Sequence, residues 1–149
     1  MFIKELLTSR KAAEAVGEGI PIRRGDIYFA DLNEPFGAEP GFRRLVIALQ
    51  NSDELAHSPT VIVAVVTQKT VPQDVPSNVC FRMGRKRMQM TAMLDKLLTI
   101  DKRRIIRFVD SCPSDASLLI NEALRYSLGL DMWDYFGGTE KKTEGEYFE

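Results

Sequence analysis

One histidine, His57, stands in the 149 residues, and that scarcity removes a class of chemistry. Paired-imidazole acid–base cleavage is excluded, and no His/Cys spacing suits a metal ion. As for His57 itself, two roles stay open, a sole general base or an ordinary exposed loop side chain. Cysteine is nearly as rare: Cys80 and Cys112 are the only two, far apart in the chain. They fit neither a disulfide framework nor a zinc pattern, and are expected as buried or half-buried thiols in a reducing compartment. Nucleotide-binding glycine patterns and the Gly-x-Ser-x-Gly elbow are missing as well. The longest apolar runs, residues 45–49 and 61–66, have the length of strands and are too short to cross a bilayer. Residues 1–16 interleave Lys4, Glu5, Arg10, Lys11 and Glu14 with apolar side chains, which leaves no export-type stretch. The expectation is a cytoplasmic protein with no membrane contact, no metal and no cofactor.

What the chain does hold is an ordinary globular composition. Apolar residues make up 44% and charged residues 28%, enough to build one core without staples. The net charge of −1 argues against an indiscriminate polyanion binder. Its distribution is uneven, however: residues 82–107 carry nine basic side chains against two acidic, while the last ten residues hold four Glu and two Lys. A phosphate-binding face and a merely solvated surface both fit that asymmetry.

Periodicity divides the chain into three parts. In residues 2–16 an apolar stripe of Phe2, Ile3, Leu6, Leu7, Ala13 and Val16 recurs at helical spacing, and Gly17, Gly19 and Pro21 end it. Residues 1–20 are therefore expected as a helical extension, residues 21–131 as the main domain, and residues 132–149 as a polar tail. Within the domain, strands are expected over residues 27–30, 45–49, 60–67, 79–83, 91–94 and 105–109, with a segment at residues 99–101 leading through a charged turn to the last. Gly- and Pro-bearing loops separate them at residues 33–41 and 68–77, and a basic turn falls at 84–88. A helix over residues 114–128 follows, with Ser114 as its cap, Gly129 as its end, and Leu118, Leu119, Ala123, Leu124 and Leu128 on its buried side. Many short strands with one packed helix predict a mainly β fold, a small barrel or strongly bent sheet.

Candidates for chemistry gather where the loops meet the apolar strands. Arg43 and Arg44 stand where the first loop becomes strand, and Thr67 where the 60–67 strand ends. A guanidinium suits a phosphodiester because its fork donates parallel hydrogen bonds and keeps its charge. A surface arginine and an ordinary strand threonine are the plain alternative.

Several segments decide between these readings by resemblance. Residues 22–32 (IRRGDIYFADL), the stretch GAEPG at 37–41 running into Arg44-Leu45-Val46-Ile47, Gln50-Asn51, and SPTVIVAVVT at 58–67 resemble MazF/PemK toxins. So do LTIDK at 98–102 and Asn121-Glu122-Ala123-Leu124 through Ser127-Leu128. The resemblance covers residues 22–130 in order. It implies an SH3-like β-barrel that forms a homodimer, cuts single-stranded RNA (mRNA) at short sequences without a metal, and is neutralised by a MazE-like antitoxin. By position, the family's catalytic arginine falls on Arg44 and its threonine on Thr67, with Glu39 a weaker candidate for proton handling or RNA contact. Phe36 and Phe42 are candidates for stacking bases, or else loop anchors. Arg43, Gln68, Gln73, Arg85, Lys86 and Arg87 complete the expected RNA contacts.

Two departures from the family pattern bear on this. Family members usually carry Arg-Pro where this chain has Arg44-Leu45 preceded by a second arginine, so a one-residue shift would make Arg43 the working group. The basic, Met-rich stretch at residues 82–90 also differs, which bears on sequence preference and not on the reaction. A gyrase-poisoning toxin of the CcdB type and a catalytically inactive RNA- or antitoxin-binding module are the alternative functions.

Overall fold

The computed structural model describes residues 22–130. The expected N-terminal helix and C-terminal tail lie outside those residues. Six antiparallel strands form one sheet: β1 (Asp26–Asp31), β2 (Arg43–Ala48), β3 (Thr60–Thr67), β4 (Asn78–Met83), β5 (Met88–Asp101) and β6 (Ile105–Ser111), in spatial order β4-β5-β3-β2-β1-β6. A one-turn helix α1 (Ser52–Leu55) links β2 to β3, and helix α2 (Ser114–Leu128) packs on the sheet. The architecture is thus mainly β, a curled sheet closed by a C-terminal helix, as expected.

Both faces of the sheet are apolar, which explains the uninterrupted hydrophobic runs of β2 and β3. Alternate residues separate cleanly. Ile27, Leu45, Ile47, Ala64, Val66, Phe81, Met90 and Ala92 join the core under α2. Tyr28, Ala30, Val46, Ala48, Val61 and Val63 point the other way, into a second cluster with Ile100 and Ile105.

The sheet curls because β5 is longer than its sequence pattern suggests. Ala64 stands opposite Leu97 but Val65 opposite Met93, so residues 94–96 have no partners on β3. Such a bulge bends the strand and sharpens its twist. Its backbone groups do not go unpaired, since Leu94 donates to the Ser77 carbonyl at 2.8 Å and accepts from the Ser127 hydroxyl at 2.9 Å. The 91–94 strand and the 99–101 segment expected separately are therefore one bent strand. The curl brings the two edges of the sheet together, and Gly84 N–H in the β4–β5 turn donates to the Asp110 carboxylate of β6 at 3.1 Å.

Helix α2 ends as expected, with Gly129 in the left-handed region (φ 64°) and its N–H bonded to the last-turn carbonyls. Two details differ from the sequence reading. Pro113, not Ser114, is the capping residue, and no side chain caps the first turn. The buried stripe is Ala116, Ile120 and Ala123 with Leu124 alongside, whereas Leu118, Leu119 and Leu128 are 69%, 55% and 55% exposed. Leucines occur on both sides of this helix, so hydrophobicity alone does not set its phase. Polar bonds between the helix and the rest of the fold do: Arg24 bridges the Leu49 carbonyl (2.7 Å) and Asn121 Oδ1 (3.0 Å), and Ser127 holds the β5 bulge. The polar stretch before β3 also contains α1, capped by Asn51, whose carboxamide oxygen accepts from Asp53 N–H at 2.8 Å.

Candidate active site

Strand register brings the two residues singled out at loop–strand junctions to one place. Leu45 pairs with Val66, and continuing that antiparallel register by one residue sets Arg44 across from Thr67. Thr67 pairs in turn with Thr91 of β5, and Thr91 with Cys80 of β4. Residues opposite one another share a face. Arg44, Thr67, Thr91 and Cys80 therefore form a polar row on the face opposite α2, continuous with the second apolar cluster. Arg43 projects from the other face. It stands opposite Asp31, with Nε 3.9 Å from that carboxylate, and both side chains are largely exposed.

Arg44 and Thr67 are both half-buried, and each is aimed by a local bond. Arg44 Nε donates to the Gly41 carbonyl at 3.0 Å, and its two terminal Nη groups make no bond among the described residues. Gly41 has to be glycine, because a Cβ there would lie 2.4 Å from Pro35 Cδ. The Thr67 hydroxyl accepts from Lys69 N–H at 3.1 Å, which leaves its own proton to donate. A fixed guanidinium fork beside a hydroxyl donor, on a rigid strand edge, can bind and stabilise a phosphoryl group as its charge rises.

The loop at residues 33–42 overhangs this edge. It is pinned at its base by Leu32 N–H to the Phe42 carbonyl (2.8 Å) and Phe42 N–H to the Asn33 carbonyl (2.6 Å). Phe36 is 84% and Phe42 61% exposed, so neither ring anchors the loop in the core. Both are presented for contact. Glu39 is exposed, and its carboxylate accepts from Phe36 N–H at 2.9 Å; this bond shapes the loop that carries Phe36. In the second loop Gln68 is exposed, while Gln73 is tied to the Val71 carbonyl (2.9 Å) and accepts from the Cys80 thiol (2.7 Å).

The basic triplet Arg85, Lys86 and Arg87 occupies the exposed β4–β5 turn, where Arg87 has φ 55°. That turn caps the strands carrying Cys80 and Thr91, several residues from the Arg44–Thr67 pair, and it belongs to the margin of the site. His57 is exposed just after α1, beyond the end of α1 and not on the polar row.

The sequence alone marks Cys80 only as a free thiol and does not single out Thr91 or Gln89. Thr91 is buried at 3% exposure and lies within the strand expected over residues 91–94. Their place beside Arg44 and Thr67 comes from pairing between strands far apart in the chain.

Among the described residues, Tyr28, Cys112 and the Asp101–Arg103 pair have shifted protonation. Burial pushes the Tyr28 hydroxyl up to about 12, and the nearby Asp26 carboxylate adds to this. Burial likewise pushes the Cys112 thiol up to about 11. Asp101 is held down at about 2, chiefly by the Arg103 side chain hydrogen-bonded to it at 2.9–3.0 Å. None of these lies on the polar row, so they bear on stability and not on the site. Both cysteines are free. Among the described residues no group of His, Cys, Asp or Glu could hold a metal ion, and no helix is long and apolar enough to cross a membrane.

Comparison with known proteins gives the family and the fold. The sequence model of the PemK-like, MazF-like toxin of type II toxin–antitoxin systems matches residues 23–128. An endoribonuclease MazF from Staphylococcus epidermidis is 33% identical over 116 residues, covering 76% of this chain and 97% of that protein. Among solved structures, a MazF from Deinococcus radiodurans superposes with a TM-score of 0.61 at 18% identity, covering 72% of this chain and 96% of that one. A mycobacterial endoribonuclease solved with its cognate antitoxin gives 0.60 at 19% identity, covering 72% and 95%. At these identities the structural likeness speaks for the fold.

Proposed function

Starting from a chain that belongs to the PemK-like, MazF-like toxin family, we propose that it is a sequence-specific endoribonuclease toxin that cuts single-stranded RNA without a metal. The observation that carries this is the Arg44–Thr67 juxtaposition at the open edge of the second face. In the reaction, the ribose 2′-oxygen gives its proton to solvent water and bonds to the adjacent phosphorus. The bond from phosphorus to the 5′-oxygen breaks, and that oxygen takes a proton from solvent. The products are a 2′,3′-cyclic phosphate and a 5′-hydroxyl. Arg44 donates from its Nη groups to the equatorial oxygens as they gain charge, and Thr67 donates its hydroxyl proton to one of them. With charge compensated by a guanidinium, cleavage is expected to proceed in EDTA.

Glu39 acts mainly by holding its loop, so that Phe36 and Phe42 are free to stack on bases flanking the cut. Gln68 and Gln73 offer amides to base edges, and Arg85, Lys86 and Arg87 receive the phosphate backbone further along. Arg43 contributes charge from the other face. A cognate antitoxin of the MazE kind would cover the polar row with an acidic, apolar segment that folds as it binds. The exposed apolar side of α2, with Leu118, Leu119 and Tyr126, supports a homodimer, since burying it removes a contiguous hydrophobic strip from water. On this reading the protein acts in the cytoplasm, where its RNA targets are.

The test is incubation of the purified protein with mixed single-stranded RNA in EDTA, followed by sequencing of the new ends, with Arg44→Ala alongside. Cuts at one short sequence with cyclic-phosphate and 5′-hydroxyl ends, absent in the variant, are the expected result. Intact RNA would overturn the reading in favour of a gyrase-directed toxin or an inactive binding module.

A further inference from the structure

The polar row does not stop at Thr67. Its continuation over Thr91 and Cys80 leads into a cluster that the reaction just described leaves unused. Cys80 Sγ donates to Gln73 Oε1 (2.7 Å), lies 3.3 Å from Thr91 Oγ1, and accepts from Gln89 Nε2 at 3.8 Å. Gln89 stands opposite Arg82 on the next rung of the same face, and both are exposed. The second loop borders this patch, because Asn78 Nδ2 donates to the Pro72 carbonyl at 3.0 Å and so ties residues 72–73 against β4.

Two strand spacings, roughly 10 Å, separate Thr67 from Cys80. A base attached to the nucleotide beside the scissile phosphate spans a gap of that order. The patch offers what a base edge needs. The Gln89 carboxamide presents donor and acceptor side by side, and its oxygen has no partner among the described residues. The Cys80 thiol and the carboxamide of Gln73 lie alongside it. The floor beneath is the buried Thr91 hydroxyl, which the cluster holds in place. Arg82, whose Nη1 donates to the Arg87 carbonyl at 3.0 Å, keeps a fixed positive charge at the outer rim for the following phosphate.

We propose that Gln89 and Cys80, seated on Thr91 and flanked by Gln73, form a specificity subsite that reads one base of the single-stranded RNA next to the cut. This rests on the nuclease reading above and adds to it the residues that choose the sequence. The base is one that presents a hydrogen-bond donor and acceptor on one edge, and Gln89 contributes most of the discrimination.

The experiment is cleavage of a random-sequence RNA pool by wild type, Gln89→Ala and Cys80→Ser, with every cut site sequenced and kcat/KM compared between the preferred base and its replacements at each position. Loss of preference of about tenfold at a single position flanking the cut, with the other positions as selective as before, is the expected result. Unfolding midpoints close to wild type are expected for both variants, because the Gln89 side chain is exposed and Cys80→Ser keeps a hydroxyl for the Thr91 contact. If both variants retain the wild-type sequence preference, or lose rate evenly at all sites, the subsite is overturned while the nuclease stands. A wild type that cuts nothing in the pool overturns both.

Discussion

At the scale of single residues, the two adjacent arginines differ by which face of the sheet they occupy. Arg44 shares a face with Thr67, and Arg43 stands on the opposite face beside Asp31. Arg44→Ala should lower cleavage by about 100- to 1,000-fold, the usual cost of removing a donor aimed at a transition-state oxyanion. Arg43→Ala should lower it only a few-fold, through weaker phosphate attraction, and equally for every RNA sequence. Initial rates on one cognate RNA separate the two, and equal losses would contradict the assignment. The cysteines differ in a comparable way. The Cys112 thiol is pushed up to about 11 mainly by burial, so at pH 8 almost none of it is thiolate. Iodoacetamide on the native protein should therefore modify Cys80 well before Cys112, with the order read by peptide mass.

Elements are held by contacts that their own sequences do not reveal. In α2 the buried stripe is Ala116, Ile120 and Ala123, and Leu118 is 69% exposed. Ile120→Ala should cost about 2–5 kcal/mol of unfolding free energy through the cavity it leaves, whereas Leu118→Ala, with the chain kept monomeric by Leu119→Asp, should fall within about 0.5 kcal/mol of its parent. Urea denaturation of the two variants at equal protein concentration checks this, and the reverse order would mean the helix is rotated from its described phase. Ser114 and Gly129 show the same dependence on context. A serine before an apolar run is a fair capping signal, yet Pro113 takes that position. The glycine ends the helix as expected, because φ near 64° favours a residue without Cβ.

For the whole molecule, pH acts through groups buried on opposite sides of the sheet. Tyr28 and Cys112 both hold their protons more tightly folded than unfolded. Their contribution is thus complete below about pH 9 and is lost as pH rises through 9–12. For Tyr28 the rise from 10.0 to about 12 corresponds to about 2–3 kcal/mol lost across pH 10–12. Chemical denaturation at pH 8, 10 and 11 should show a steep decline in wild type and a shallower one in Tyr28→Phe. Asp101 has the opposite sign. Its lowered value of about 2 gives a contribution present above the unfolded value of 3.8 and lost as pH falls toward 2, small because the pair is exposed to solvent. Assembly belongs to this scale too. Leu119→Asp on the exposed side of α2 should shift sedimentation from dimer to monomer, and an unchanged dimer would place the interface elsewhere.

Read alone, the sequence determined the strand positions, the placement of the loops, the closing helix and its glycine end, because these depend on local propensity and on the period of apolar residues. Resemblance over residues 22–130 carried Arg44 and Thr67, and their position at loop–strand junctions is visible in the chain itself. Three things only the tertiary structure decided. One is the union of the 91–94 and 99–101 segments into a single strand bent at a bulge, which depends on Ser77 and Ser127 satisfying its backbone. The phase of α2 is another, set by Arg24 and Ser127 where leucines on both sides made the pattern ambiguous. The last is the row joining Arg44 and Thr67 to Thr91 and Cys80. Cross-strand register is a relation between residues tens of positions apart, and a one-residue slip would turn every side chain in it to the other face.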